Sequence, residues 1–115
     1  MAGFMSDRNL GNLETILMLA VLRLGDDAHG VSIRHELLTC AQKDVAIGAI
    51  YTAFERLERK GFVESWLGNP TAVRGGRAKR YYRLTPKGMK LLNETQRAIQ
   101  GLMVGLNLAG GTVNA

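Results

Sequence analysis

A chain of 115 residues, 46% of them hydrophobic, is long enough for one domain with a modest core and too apolar to stay unfolded. Its net charge of +5 and sequence pI of about 9.8 favour a polyanionic partner. A lone cysteine, Cys40, excludes an internal disulfide and suits a reducing compartment, and the longest apolar run, residues 16–22, is far too short to cross a bilayer.

Residues 1–11 read as a flexible N-terminal leader; the opening MAGFMSDRN has no basic region followed by an apolar run, so no signal peptide is expected and a cytoplasmic location is. Leu13, Ile16, Leu17, Ala20, Val21 and Leu24 recur at helical spacing and predict a first helix over 12–24, ended by the turn residues Gly25, Asp26 and Asp27. A second helix fits 31–41 and is expected to bury Ile33, Leu37 and Leu38. The third lies within 47–62, IGAIYTAFERLERKGF, with Ile47, Ile50, Phe54 and Leu57 on one side and Gly61 where a helix would stop.

The period then changes to two. Val63, Ser65 and Leu67 alternate with Glu64 and Trp66, and alternation resumes over 80–84 beyond the long tip GNPTAVRGGRAK, which makes a β-hairpin. Thr85 followed by Pro86 is a helix start: a cap residue, then proline at the first helical position. In the helix expected over 86–107, Met89, Leu92, Gln96, Ile99, Met103 and Leu106 fall alternately three and four apart. Such a heptad seam needs another helix to cover it. Residues 108–115 are expected to be a disordered tail. The expected fold is mainly α with a small β-hairpin: a winged helix-turn-helix over 12–85, followed by a C-terminal dimerisation helix.

One side of the third helix is unusual. Its first turns oppose the apolar stripe with Gly48, Ala49 and Thr52, where a solvated face normally carries Lys, Glu and Gln. The major groove is about 12 Å wide, so short outward side chains let a helix backbone approach base edges. Thr52 would then touch a base, Arg56 would reach guanine or phosphate, and Tyr51 sits on the flank. Equally, the small residues could merely pack against the second helix, and Tyr51 could be a half-buried core residue.

The hairpin favours DNA. Between Glu64 and Glu94 there is no acidic residue, while Arg74, Arg77, Lys79, Arg80, Arg83, Lys87 and Lys90 all fall in that interval. Ordinary surfaces mix the two signs, whereas an unmixed basic tip suits phosphate contact.

With these residues assembled, the chain resembles the PadR family of transcriptional regulators. The matching segments are ILMLAVLRLGDDAHGVSIRHEL, IGAIYTAFERLERKGFVES and GGRAKRYYRLTPKG, which cover most of 16–88. The resemblance implies a winged-helix dimer, commonly a repressor, joined through its C-terminal helix. It also implies that Gly48, Ala49, Tyr51 and Thr52 meet operator DNA while Arg77, Lys79 and Arg80 serve the wing, with Arg74 in the same basic tip.

Two departures stand out. Ala46 occupies the place of the usual Ser or Thr cap of the third helix, with Asp44 an alternative cap one turn earlier. Some short members bind a flat hydrophobic effector through an aromatic residue of the terminal helix, and this chain has no aromatic residue after Tyr82.

Other classes find less support. His29, His35, Glu36 and Cys40 lack the spacing of a metal site, with no HExxH and no paired CxxC, and GGRAKR lacks the Gly-Lys-Ser/Thr ending of a nucleotide-phosphate loop. No catalytic residue, metal or cofactor is expected. Trp66 is expected in the core. The remaining alternative is a winged helix that binds protein without DNA.

Overall fold

The structure is a computed structural model, and it describes residues 10–69 and 78–108. Helix α1 spans Asn12–Leu24, α2 Gly30–Ala41 and α3 Ile47–Arg59; strands β1 (Val63–Leu67) and β2 (Arg80–Leu84) follow, then helix α4 (Pro86–Met103). A single 3-10 turn, Gly25–Asp27, joins α1 to α2. The expected order of three helices, a hairpin and a terminal helix is the observed one.

Local chemistry sets the ends of these elements. The Glu14 carboxylate accepts the Gly11 amide at 2.9 Å and so ties down the start of α1. Gly25 ends that helix at φ +59°, in the region that favours glycine. The start of α2 is capped by His29, whose Nδ1 accepts the Ser32 amide while the Ser32 hydroxyl accepts the His29 amide. At α4 the Thr85 hydroxyl accepts the Gly88 amide at 3.0 Å, with Pro86 behind it as the first helical residue.

The core gathers Leu17, Met18 and Val21 of α1, Ile33 and Leu37 of α2, Ile50, Ala53, Phe54 and Leu57 of α3, and Val63, Tyr82 and Leu92. At its centre Phe54 stacks on Tyr82, ring centroids 4.0 Å apart. Strands β1 and β2 pair antiparallel from Val63 opposite Leu84 to Leu67 opposite Arg80. The Tyr82 amide donates to the Ala28 carbonyl at 2.9 Å and His29 bridges to Tyr81, so the segment between α1 and α2 lies against β2 and anchors the wing to the helices.

Several expectations need correction. Leu38 is 49% exposed, because α2 turns its Ile33 and Leu37 stripe inward and Leu38 lies beyond it. Trp66 is 41% exposed, stacked on Tyr81 with the Arg83 guanidinium 5.2 Å above its ring; at that point the hairpin has passed the end of the core. For the same reason the alternation fades outward: Val63 is buried, yet Leu67 is exposed. Leu92 of the expected seam is 2% exposed and belongs to the chain's own core, since the first turns of α4 lie against β2 and the end of α3. Helix α4 stops at Met103, short of the expected 107. Cys40 is exposed.

Candidate nucleic-acid interface

Helix α3 is built to bury one side only. Ile50, Ala53, Phe54 and Leu57 are at most 1% exposed, and the opposite side carries Gly48, Ala49, Thr52, Glu55 and Arg56, all exposed. A Cβ added at Gly48 would meet nothing within 4 Å. The small residues at the start of α3 therefore do not pack against α2. Tyr51, half exposed at the flank, lies across Gly30 at the start of α2, where an added Cβ would run into its hydroxyl.

The start of α3 has no side-chain cap at Ala46. Asp44 does not supply one either: its carboxylate pairs with Arg34 at 3.2 Å. The Ile50 amide donates to the Ala46 carbonyl at 3.1 Å, and the amides of Ile47, Gly48 and Ala49 before it make no hydrogen bond among the described residues. Open amides at the positive end of a helix dipole favour an anion.

Arg56 is less free than its sequence position implies. Its Nε lies 3.7 Å from a Glu14 oxygen that is also 3.7 Å from Lys60 Nζ, which draws the guanidinium towards α1. On the wing, Lys79 and Arg80 are exposed. Arg80 donates to the Ser65 hydroxyl at 2.9 Å, and that hydroxyl donates to Glu58 at 2.8 Å, a chain that links the wing to α3. Arg74 and Arg77 lie outside the described residues.

The basic run also proves less unmixed in space than along the chain. Arg83 pairs with Glu64 directly across the hairpin at 2.6 Å, and Lys87 Nζ donates to the Lys60 carbonyl at 2.9 Å.

Two ring groups near the wing have shifted acidities. The Tyr82 hydroxyl is pushed up to about 12, first by burial and then by the nearby Tyr51. The His29 imidazole is held below its ordinary range by burial and by the Lys79 ammonium, with Asp27 opposing.

On α4, Met89, Ile99 and Met103 are exposed and Gln96 is half-buried; Leu106, also exposed, lies just beyond the helix. Leu102 and Val104, each 80% exposed, extend the apolar surface. Sequence reasoning passed over Leu102 although it stands three residues from Ile99 and four from Leu106; the a/d pattern drew attention to the neighbouring stripe. Among the described residues no group of three or more His, Cys, Asp or Glu side chains is gathered as a metal site, and no helix is long and apolar enough to cross a membrane.

Residues 18–94 match the family described as the transcriptional regulator PadR-like family. The chain belongs to that family. Among curated relatives, this PadR-like chain is 35% identical over 77 residues to the transcriptional regulator Rv3488 of Mycobacterium tuberculosis, a match covering 67% of each. Among solved structures it resembles a PadR family transcription regulator of Clostridium difficile R20291, with TM-score 0.61 and 27% identity over 77% of this chain and 92% of that one. A transcriptional regulator from Clostridium thermocellum superposes with TM-score 0.64 at 25% identity, over 77% of this chain and 83% of that one. The winged-helix fold and the regulator family of the chain thus rest on sequence and structure together.

Proposed function

We propose that this PadR-like regulator binds an inverted-repeat operator in double-stranded DNA as a homodimer and acts as a repressor. The observation that carries the reading is the bare, exposed start of α3: Gly48, Ala49 and Thr52 are uncovered and the first amides of the helix are open. Those residues enter the major groove, with Thr52 meeting a base edge and Tyr51 at the flank. Arg56, drawn towards Glu14 at the far end of α3, is left out of the groove contact.

The wing follows the neighbouring phosphates through Lys79 and Arg80, joined by Arg74 and Arg77 of the same basic tip. Two chains associate through the exposed stripe of Met89, Ile99, Met103 and Leu106, with Leu102 and Val104 adding to it. Two-fold symmetry then sets the operator half-sites about 10 base pairs apart. An effector, where there is one, is small and hydrophobic and lies between the two α4 helices; α4 offers it methionine and leucine rather than aromatic rings.

Gel-shift titration against the chain's own upstream DNA tests the reading. The logarithm of the affinity should fall linearly with the logarithm of salt concentration, with a slope of ~0.9 per phosphate neutralised. Absence of any complex at low salt would favour a winged helix that binds protein instead.

A further inference from the structure

The far end of α3 has a basic feature that groove contact leaves unused. A solvent-open cavity of about 390 Å³ is lined by Arg56, Arg59 and Lys60 at the end of α3 and by Lys87 in the first turn of α4. Among the described residues the acidic side chain paired with this group is Glu14, one carboxylate oxygen of which lies 3.7 Å from both Arg56 Nε and Lys60 Nζ. One carboxylate against four cations leaves a formal surplus of three positive charges. Glu14 is itself mostly buried, and its other oxygen is engaged by the Gly11 amide.

The walls are partly fixed in advance. Lys87 Nζ donates to the Lys60 carbonyl at 2.9 Å and lies 5.1 Å over the Phe62 ring. Arg59 makes no ion pair or side-chain hydrogen bond among the described residues, so its whole guanidinium fork is available. Surface charges ordinarily intersperse the two signs, and like charges gathered on one concave wall repel. A compact polyanion relieves that repulsion and accepts the charge-assisted, bidentate bonds that arginine is shaped to give. The volume falls within the range of small-molecule sites, about 300–1,000 Å³.

We propose that this cavity is a binding site for a small phosphate-bearing anion of the pyrophosphate class, distinct from the DNA-facing surface. Gly48 and Arg59 stand eleven residues apart on α3, which at a rise of about 1.5 Å per residue separates them by roughly 16 Å along the axis. The occupant therefore sits at the opposite end of the helix from the bare turns. Its walls belong to both α3 and α4, so it bridges the recognition helix to the terminal helix.

Calorimetric titration of the full chain with pyrophosphate, at ionic strength held constant with chloride, tests the site. The expected result is saturable binding of one pyrophosphate per chain, weakened at least tenfold by Arg59→Gln and by Arg56→Gln. Lys79→Ala, on the wing, should leave that affinity unchanged, and binding should persist when the protein is saturated with duplex DNA at low salt. Failure of the unmodified chain to bind, or equal affinity in both arginine variants with their helical circular dichroism intact, would overturn the proposal. Loss of binding in Lys79→Ala, or displacement of pyrophosphate by the duplex, would assign the same chemistry to a backbone phosphate of DNA and overturn it as well.

Discussion

At the scale of single residues, Gly88 and His29 do more than their positions along the chain suggest. A Cβ built on Gly88 would lie 2.0 Å from the Phe62 carbonyl oxygen, a backbone atom with nowhere to go. That close approach lets α4 sit down on the end of α3 and send Leu92 into the core. Gly88→Ala is expected to lower stability by ~1–3 kcal/mol or more, as overpacking does, and urea unfolding should reveal it as a lower midpoint.

His29 is buried at the junction of the wing and α2, and its imidazole is held below the ordinary value of 6.5. The unfolded chain therefore takes up this proton first as the pH falls. His29 contributes its full stability above about pH 6.5 and loses it as the pH drops from there through the lower folded value. Stability measured across that window should decline on acidification, and His29→Gln should flatten the decline.

At the scale of elements, α3 and the hairpin divide the work. The apolar stripe of α3 was legible because a period of 3.6 over 13 residues marks which side is buried. Periodicity does not tell what the other side meets. The packing of α2, which reaches Tyr51 at Gly30 and leaves Gly48, Ala49 and Thr52 uncovered, showed that the chain itself does not occupy that side. Thr52→Glu places a negative charge on this exposed surface, so circular dichroism should be unchanged while sequence-specific binding in a gel shift disappears.

In the hairpin the run of basic residues was visible along the chain, yet strand register paired Arg83 with Glu64 and so removed one cation from it. Lys79 keeps its charge exposed. Lys79→Ala should weaken DNA binding to all sequences alike and flatten the salt dependence by ~0.9, the share of one phosphate contact.

At the scale of the whole molecule, the exposed apolar stripe of α4 is a surface that the described residues leave uncovered. Ile99 is 45% exposed, Leu102 80% and Met103 46%, on a helix from which, among the described residues, Leu91 and Leu92 join the core. A second copy covering this stripe would bury both faces at once. Ile99→Asp, in the middle of the stripe and away from Leu92, is expected to give a folded monomer in sedimentation; a dimer that persists would put the subunit contact elsewhere.

Short-range patterning decided the elements themselves. Helix α1 was legible to the residue from its apolar spacing and the Gly25 stop, and the start of α4 from Thr85 and Pro86, because caps, turns and periodicity are properties of neighbours in the chain. The amino-acid order alone also carried the family, since three separate segments match it. What needed three dimensions was every question of which surface is already occupied. The heptad spacing of α4 treats Leu92 and Ile99 alike, but the approach at Gly88 buries the first and leaves the second to solvent. Likewise Arg56, Arg59, Lys60 and Lys87 become one basic wall only when α4 folds back to the end of α3. Burial and charge pairing depend on contacts between residues far apart in the chain, and a linear pattern holds no record of them.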